Sequence, residues 1–281
     1  MALKATMTTA MLIVAAVVFS QRGDAQFNSW RTDRNLASDL MANGVAVDTD
    51  RATLWFEGGQ LDSDQMIAFA GLVNQGVLDI EAFLGETRTN ARKIRFFISN
   101  HVDISHSTFR TVYLPMSKVQ DHTAPYLHET THVIAPCDDC PMWFSEGLAS
   151  YVQSYVSEHT GGYDGGIFSR RGNRGIDQDA KRWLAVSRGQ AVEPFIGAAG
   201  EPPRINYDRS NVAAPFYVMA QSFVKYLANH ATLEKLRPVF EAKDFEGAMV
   251  NATGKTTTEW KEQWLAELGF EAPVPKTDLG Q

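Results

Sequence analysis

The chain has only two cysteines in 281 residues, Cys137 and Cys140, so it can close at most one disulfide. Positive charge is not in excess. Lys and Arg number 26 against 33 Asp and Glu, a formal net charge of -7, which leaves no electrostatic footprint for nucleic acid or anionic lipid. Long apolar runs are scarce. After the one near the N-terminus, no second segment reads as long and apolar enough to cross a bilayer. There is no internal repeat. The 44% hydrophobic and 11% aromatic content suits a globular enzyme with a sizeable core.

The N-terminal run has the form of an export signal. Lys4 precedes the apolar residues 11–19, and Gly23-Asp24-Ala25 places small residues at the -3 and -1 positions of a cleavage site before Gln26. Residues 1–25 are therefore expected to be a signal peptide and the mature protein secreted or periplasmic, the rival being an uncleaved anchor. The rest divides into an N-terminal α/β part (26–121), a metal-binding and helical part (122–270) and a short tail (271–281). The oligomeric state is not legible in the sequence. In an exported protein Cys137 and Cys140 would form a small disulfide loop. The rival roles are metal binding and a redox pair.

The chemistry concentrates in His128-Glu129-Thr130-Thr131-His132. On a helix, His128 and His132 lie one turn apart on nearly the same face, so both imidazoles can reach one ion. Glu129 is placed to take a proton from a water at that ion. A catalytic zinc keeps one position open for water and takes three protein ligands. Glu146, in Trp143-Phe144-Ser145-Glu146-Gly147-Leu148-Ala149, is the candidate third ligand, carried on a second, antiparallel helix. The rival reading of the pentapeptide alone is a surface helix with two solvated histidines.

These two motifs, His-Glu-x-x-His followed by Trp-x-x-Glu-Gly-x-Ala, resemble those of the gluzincin, or peptidase MA-like, zinc metallopeptidases, over about residues 93–269. The resemblance implies a zincin-like α+β fold: a small N-terminal sheet with helices, an active-site helix pair and a helical C-terminal half. It also implies Zn2+ on His128, His132 and Glu146, Glu129 as general base, and a peptide or protein substrate. It points to 108–114 as an edge strand that binds extended substrate backbone, the alternative being an ordinary interior strand. Tyr217, with Tyr207 as second choice, is the candidate oxyanion donor; either would otherwise be a core or surface tyrosine. Some members of the family carry an acid four positions after the third ligand, to orient a zinc-bound His. Here that position is Ser150, so the orienting group is expected to be Asp138, Asp139 or a backbone carbonyl.

Elsewhere the pattern is that of packing. Residues 46–50 and 52–56 read as short strands, 61–84 as a long amphipathic helix and 93–99 as a strand. The metal helix starts at 123–125 and is stopped by Pro136, and Gly147 is expected to let the second helix approach it closely. Residues 159–174 read as a flexible surface loop, the alternative being a loop over the cleft with 161–162 and 165–166 as glycine hinges, followed by a short helix at 178–186 and helices at 214–227, 233–240, 245–251 and 257–268. The leading function is an exported zinc peptidase. Its rivals are a non-catalytic, zinc-stabilised module that holds peptide or cell-envelope polymer, and a structural protein with a fortuitous motif. The aminopeptidase signature Gly-x-Met-x-Asn is absent upstream of the His motif, which favours an endopeptidase.

Overall fold

The computed structural model describes residues 32–85, 92–137, 139–163, 167–169, 171–186, 196 and 210–270. The expected signal peptide, Asp138, Gly165-Gly166, Tyr207 and the tail lie outside these residues.

A helix at 32–43 (α1) opens the described chain, a helix the sequence pattern does not suggest. Strands β1 (Val45–Asp48) and β2 (Ala52–Phe56) form an antiparallel pair. Helix α2 (Ser63–Phe83) then crosses to β3 (Ile94–Ser99), which lies parallel to β2, as a helical crossover allows. Asp62 starts α2 with a reciprocal cap: its carboxylate accepts from the Gln65 N–H, and the Gln65 side chain accepts from the Asp62 N–H. Strands β4 (His106–Thr108) and β5 (Thr111–Pro115) form a hairpin, and β5 runs parallel to β3. The sheet order is β1-β2-β3-β5-β4.

This order decides between the two readings of 108–114. The strand at 111–115 is interior, paired on both sides, and the edge is the three-residue β4. Pro115 fits because it closes β5 and caps the short helix α3 (Met116–Gln120).

Alternation explains the two faces of the sheet. Leu54, Phe56, Phe96, Ile98, Val112 and Leu114 join the buried face of α2, formed by Met66, Phe69, Val73, Val77 and Ile80, in the main core. Phe97 and Tyr113 point the other way, against Ala37 and Leu40 of α1. Each fully buried side chain of this size contributes about 1.5–3 kcal/mol relative to exposure. Contrary to the sequence reading, the 21-residue α2 is long and apolar enough, by length and composition alone, to cross a membrane. Its apolar face is the one packed on the sheet.

The remaining helices are α4 (Tyr126–Ile134), α5 (Met142–Thr160), α6 (Gly172–Val186), α7 (Ser210–Ala231), α8 (Leu233–Leu236), α9 (Phe245–Thr253) and α10 (Thr257–Glu267), with a 3-10 turn at Arg237–Val239. Helix α6 begins six residues before the expected start at 178. Its N-terminus is satisfied from another helix: the Glu158 carboxylate on α5 accepts from the Asn173 N–H at 2.8 Å, and the Asn173 amide donates to the Tyr151 carbonyl. Gly147 was expected to face the metal helix. It faces α7 instead, where a Cβ would lie 2.6 Å from the Ala220 carbonyl oxygen. A glycine that does lie against α4 is Gly76 of α2, where a Cβ would lie 2.6 Å from the Leu127 side chain.

Candidate metal centre

Helix α4 is short, lacks a side-chain cap and contains two threonines, so isolated it would not persist. Packing holds it. Every residue from Tyr126 to Ile134 except His132 is buried, between the sheet, α2 and α5, and the Thr131 hydroxyl donates back to the Leu127 carbonyl. The backbone that carries the two histidines is therefore fixed on all sides.

Helix α5 brings Glu146 to them. The Glu146 Oε2 lies 3.1 Å from His128 Nε2 and 3.7 Å from His132 Nε2, and the two Nε2 atoms are 3.2 Å apart. Two imidazole nitrogens and a carboxylate oxygen thus converge on one point. Bonds of about 2.0–2.1 Å to a tetrahedral zinc set ligand–ligand edges of roughly 3.3–3.4 Å. The three edges here bracket that value, so the donor set fits a zinc ion with one tetrahedral position left over. It is the one such metal-capable group among the described residues.

The charges respond to this crowding. Burial pushes the Glu146 carboxyl up, but the two imidazoles beside it, by hydrogen bond and charge, outweigh burial and hold it far below the usual carboxylate range. For His132, burial pushes the imidazole down, yet the Glu146 carboxylate, with Glu129 adding a smaller push, leaves it above its ordinary value. A site that keeps its carboxylate ionised is ready for a cation.

The group that orients a ligand was missed by sequence reasoning. The Ser145 hydroxyl lies 3.3 Å from His132 Nδ1, on the ring nitrogen that faces away from the triangle. Among the described residues the partner of this nitrogen is a hydroxyl, not Asp139 or a backbone carbonyl. No spacing rule points to Ser145, because adjacent residues on a helix do not share a face. Ser150 does not compensate for the missing acid: its Oγ and His128 Nδ1 are both buried without a hydrogen-bond partner.

The triangle opens into a cleft of about 1000 Å³. Glu129, buried at 7% exposure, lines it beside the three ligands. So does Tyr217 of α7, whose ring centre is 6.3 Å from that of His128. The edge strand β4 and its flanks, residues 104–110, form one wall, and Ile167 and Phe168 belong to the loop after α5. Part of that expected loop is thus at the cleft. Cys137, also on the lining, is disulfide-bonded to Cys140 with Cα atoms 5.2 Å apart, which closes the link between α4 and α5 and takes both thiols out of metal binding.

No family model matches the chain, and no curated protein matches it. Solved structures do. An M1 zinc metallopeptidase from Deinococcus radiodurans superposes with a TM-score of 0.50 at 15% identity, over 84% of this chain and 53% of that one. A mutant of an M1 enzyme from the same organism gives 0.49 at 13%, over 83% and 53%. The chain spans about half the length of these structures, and at such identity the likeness is one of fold: mixed α+β and, in part, zincin-like.

Proposed function

We propose that this chain is an exported zinc metallopeptidase that hydrolyses peptide bonds. The observation that carries the reading is the triangle of His128 Nε2, His132 Nε2 and Glu146 Oε2, with Glu129 buried beside it in an open cleft. A zinc ion held there would supply an acidified water and polarise the carbonyl under attack.

The chain's own groups supply the rest. Glu129 accepts the proton of the attacking water and passes it to the leaving amine. Ser145 fixes the ring of His132 through Nδ1. Tyr217 donates to the oxygen on which charge develops, from its place on the cleft lining. Strand β4 has β5 on one side only, so its other edge can take an extended substrate as an added strand along the cleft. Among the described residues that line the cleft, the carboxylates are Glu129 and Glu146, both assigned above. No acid remains there to hold a substrate's amino terminus, which supports cleavage of internal bonds. The Cys137–Cys140 disulfide suits an oxidising compartment, in line with the export signal read at residues 1–25.

The test is the Glu129→Gln variant of the zinc-loaded protein on a mixed peptide library read by mass spectrometry. The proposal expects zinc retained and cleavage lost. If wild type and variant bind zinc alike and neither cleaves, the chain is a zinc-stabilised binding module for peptide or envelope polymer.

A further inference from the structure

The cleft wall carries an unusual amount of exposed apolar surface. Eleven large hydrophobic side chains are exposed among the described residues, and four of them, Ile104, Phe109, Ile167 and Phe168, line this one cleft. Clustered exposure of this kind marks a binding site, whereas scattered single residues do not.

Phe109 is the most informative of the four. It is 80% exposed and is the first of the two residues that turn β4 into β5, with φ 50°. Glycine is usual at such a position, and a bulky residue in the left-handed region costs of order 1 kcal/mol or more. The chain therefore holds an aromatic ring outward at a place that disfavours it twice, by backbone conformation and by exposure. Ile104, 60% exposed, precedes β4 and lines the same cleft. Phe168 comes from a different segment and packs against Tyr217, 4.6 Å between ring centres with the rings tilted by 31°, which sets it near the metal triangle. Two apolar pairs from two different segments, Ile104 with Phe109 and Ile167 with Phe168, thus line the cleft that carries the metal triangle.

We infer that the cleft selects extended peptides carrying a bulky apolar side chain close to the scissile bond, gripped by Phe109 and Ile104 on the strand side and by Ile167 and Phe168 on the loop side. This rests on the peptidase reading for the bond that is cut, but the grip itself needs only the cleft. It also gives Phe109 a role as a specificity residue that touches substrate away from the reacting atoms.

The test uses the full zinc-loaded protein and two extended peptides of otherwise identical sequence that carry Phe or Ser at one central position. The wild type is expected to prefer the Phe peptide at least tenfold in kcat/KM. Phe109→Gly, which relieves the turn and so should fold, is expected to bring that ratio down about tenfold, and Phe109→Leu to keep most of it. Calorimetric binding of the same pair to the Glu129→Gln variant reads the grip without turnover, again with at least tenfold preference for Phe. Equal binding of the two peptides, or a ratio unmoved by Phe109→Gly, overturns the inference. Retained binding preference with no cleavage by wild type overturns the peptidase reading and leaves the grip standing.

Discussion

Gly147→Ala is a sharp test of how the site is held. A methyl at position 147 would lie 2.6 Å from the Ala220 carbonyl oxygen and 2.8 Å from both the Ala220 carbonyl carbon and Val224 Cγ2. Non-bonded carbons sit comfortably at about 3.5–4.0 Å, so α5 and α7 must separate by roughly 0.7 Å or more. Overpacking of this kind costs about 1–3 kcal/mol. The gain in helix propensity returns about 1 kcal/mol, which leaves a net loss of up to about 2 kcal/mol. At about 2–4 °C per kcal/mol for a domain this size, Tm should fall by up to roughly 8 °C, measured in excess chelator to keep metal binding out of the comparison. The neighbouring residue is Glu146, and ligand distances tolerate only about 0.2 Å, so zinc affinity should fall at least tenfold in a competition titration. Gly71→Ala is the control. It is exposed on α2 with nothing within 4 Å of the new methyl, and it should stabilise by up to about 1 kcal/mol. A Gly147→Ala protein that melts higher and binds zinc as before would refute the close approach of α5 to α7 and its link to the site.

Ser145→Ala removes the group at His132 Nδ1 and should weaken zinc binding about 10- to 100-fold while leaving the fold intact by circular dichroism. Tyr217→Phe should lower kcat about 10²- to 10³-fold with KM little changed; an unchanged kcat would return Tyr217 to a packing role. The pH response of the metal-free protein follows from the two shifted groups. Glu146 is held low, so its stabilisation is present above about pH 4.3, the unfolded carboxylate value, and is lost as pH falls through the folded one. His132 is raised, so its stabilisation is present below about pH 6.5 and is lost as pH rises through the higher folded value. Metal-free protein should therefore melt highest between these limits, whereas the extra stability conferred by zinc should grow as pH rises and His132 gives up its proton. A zinc increment that shrinks from pH 6 to 8 would contradict this.

The metal triangle was legible because its information is local. His128 and His132 are fixed by helical period, and Glu146 lies within one connection of them on the next helix. The long α2 was legible for the same reason: Met66, Phe69, Val73, Val77 and Ile80 repeat at helical spacing and all are buried. What was missed depends on tertiary partners. His106-Ser107-Thr108 has too few residues and no apolar alternation to announce a strand, and it becomes the sheet edge only because β5 pairs with it. The start of α6 is capped by Glu158 from another helix, so the Gly- and Arg-rich stretch around 171–175 reads locally as loop. Gly147 signals a close approach without naming the partner, and the partner is α7.

The central claim, a zinc held by His128, His132 and Glu146, is tested most directly by elemental mass spectrometry of residues 26–281 after dialysis against metal-free buffer, beside His132→Ala. The account predicts about one zinc per chain, lost in the variant. No zinc in the wild type and none taken up on addition, or the same content in both proteins, would contradict it.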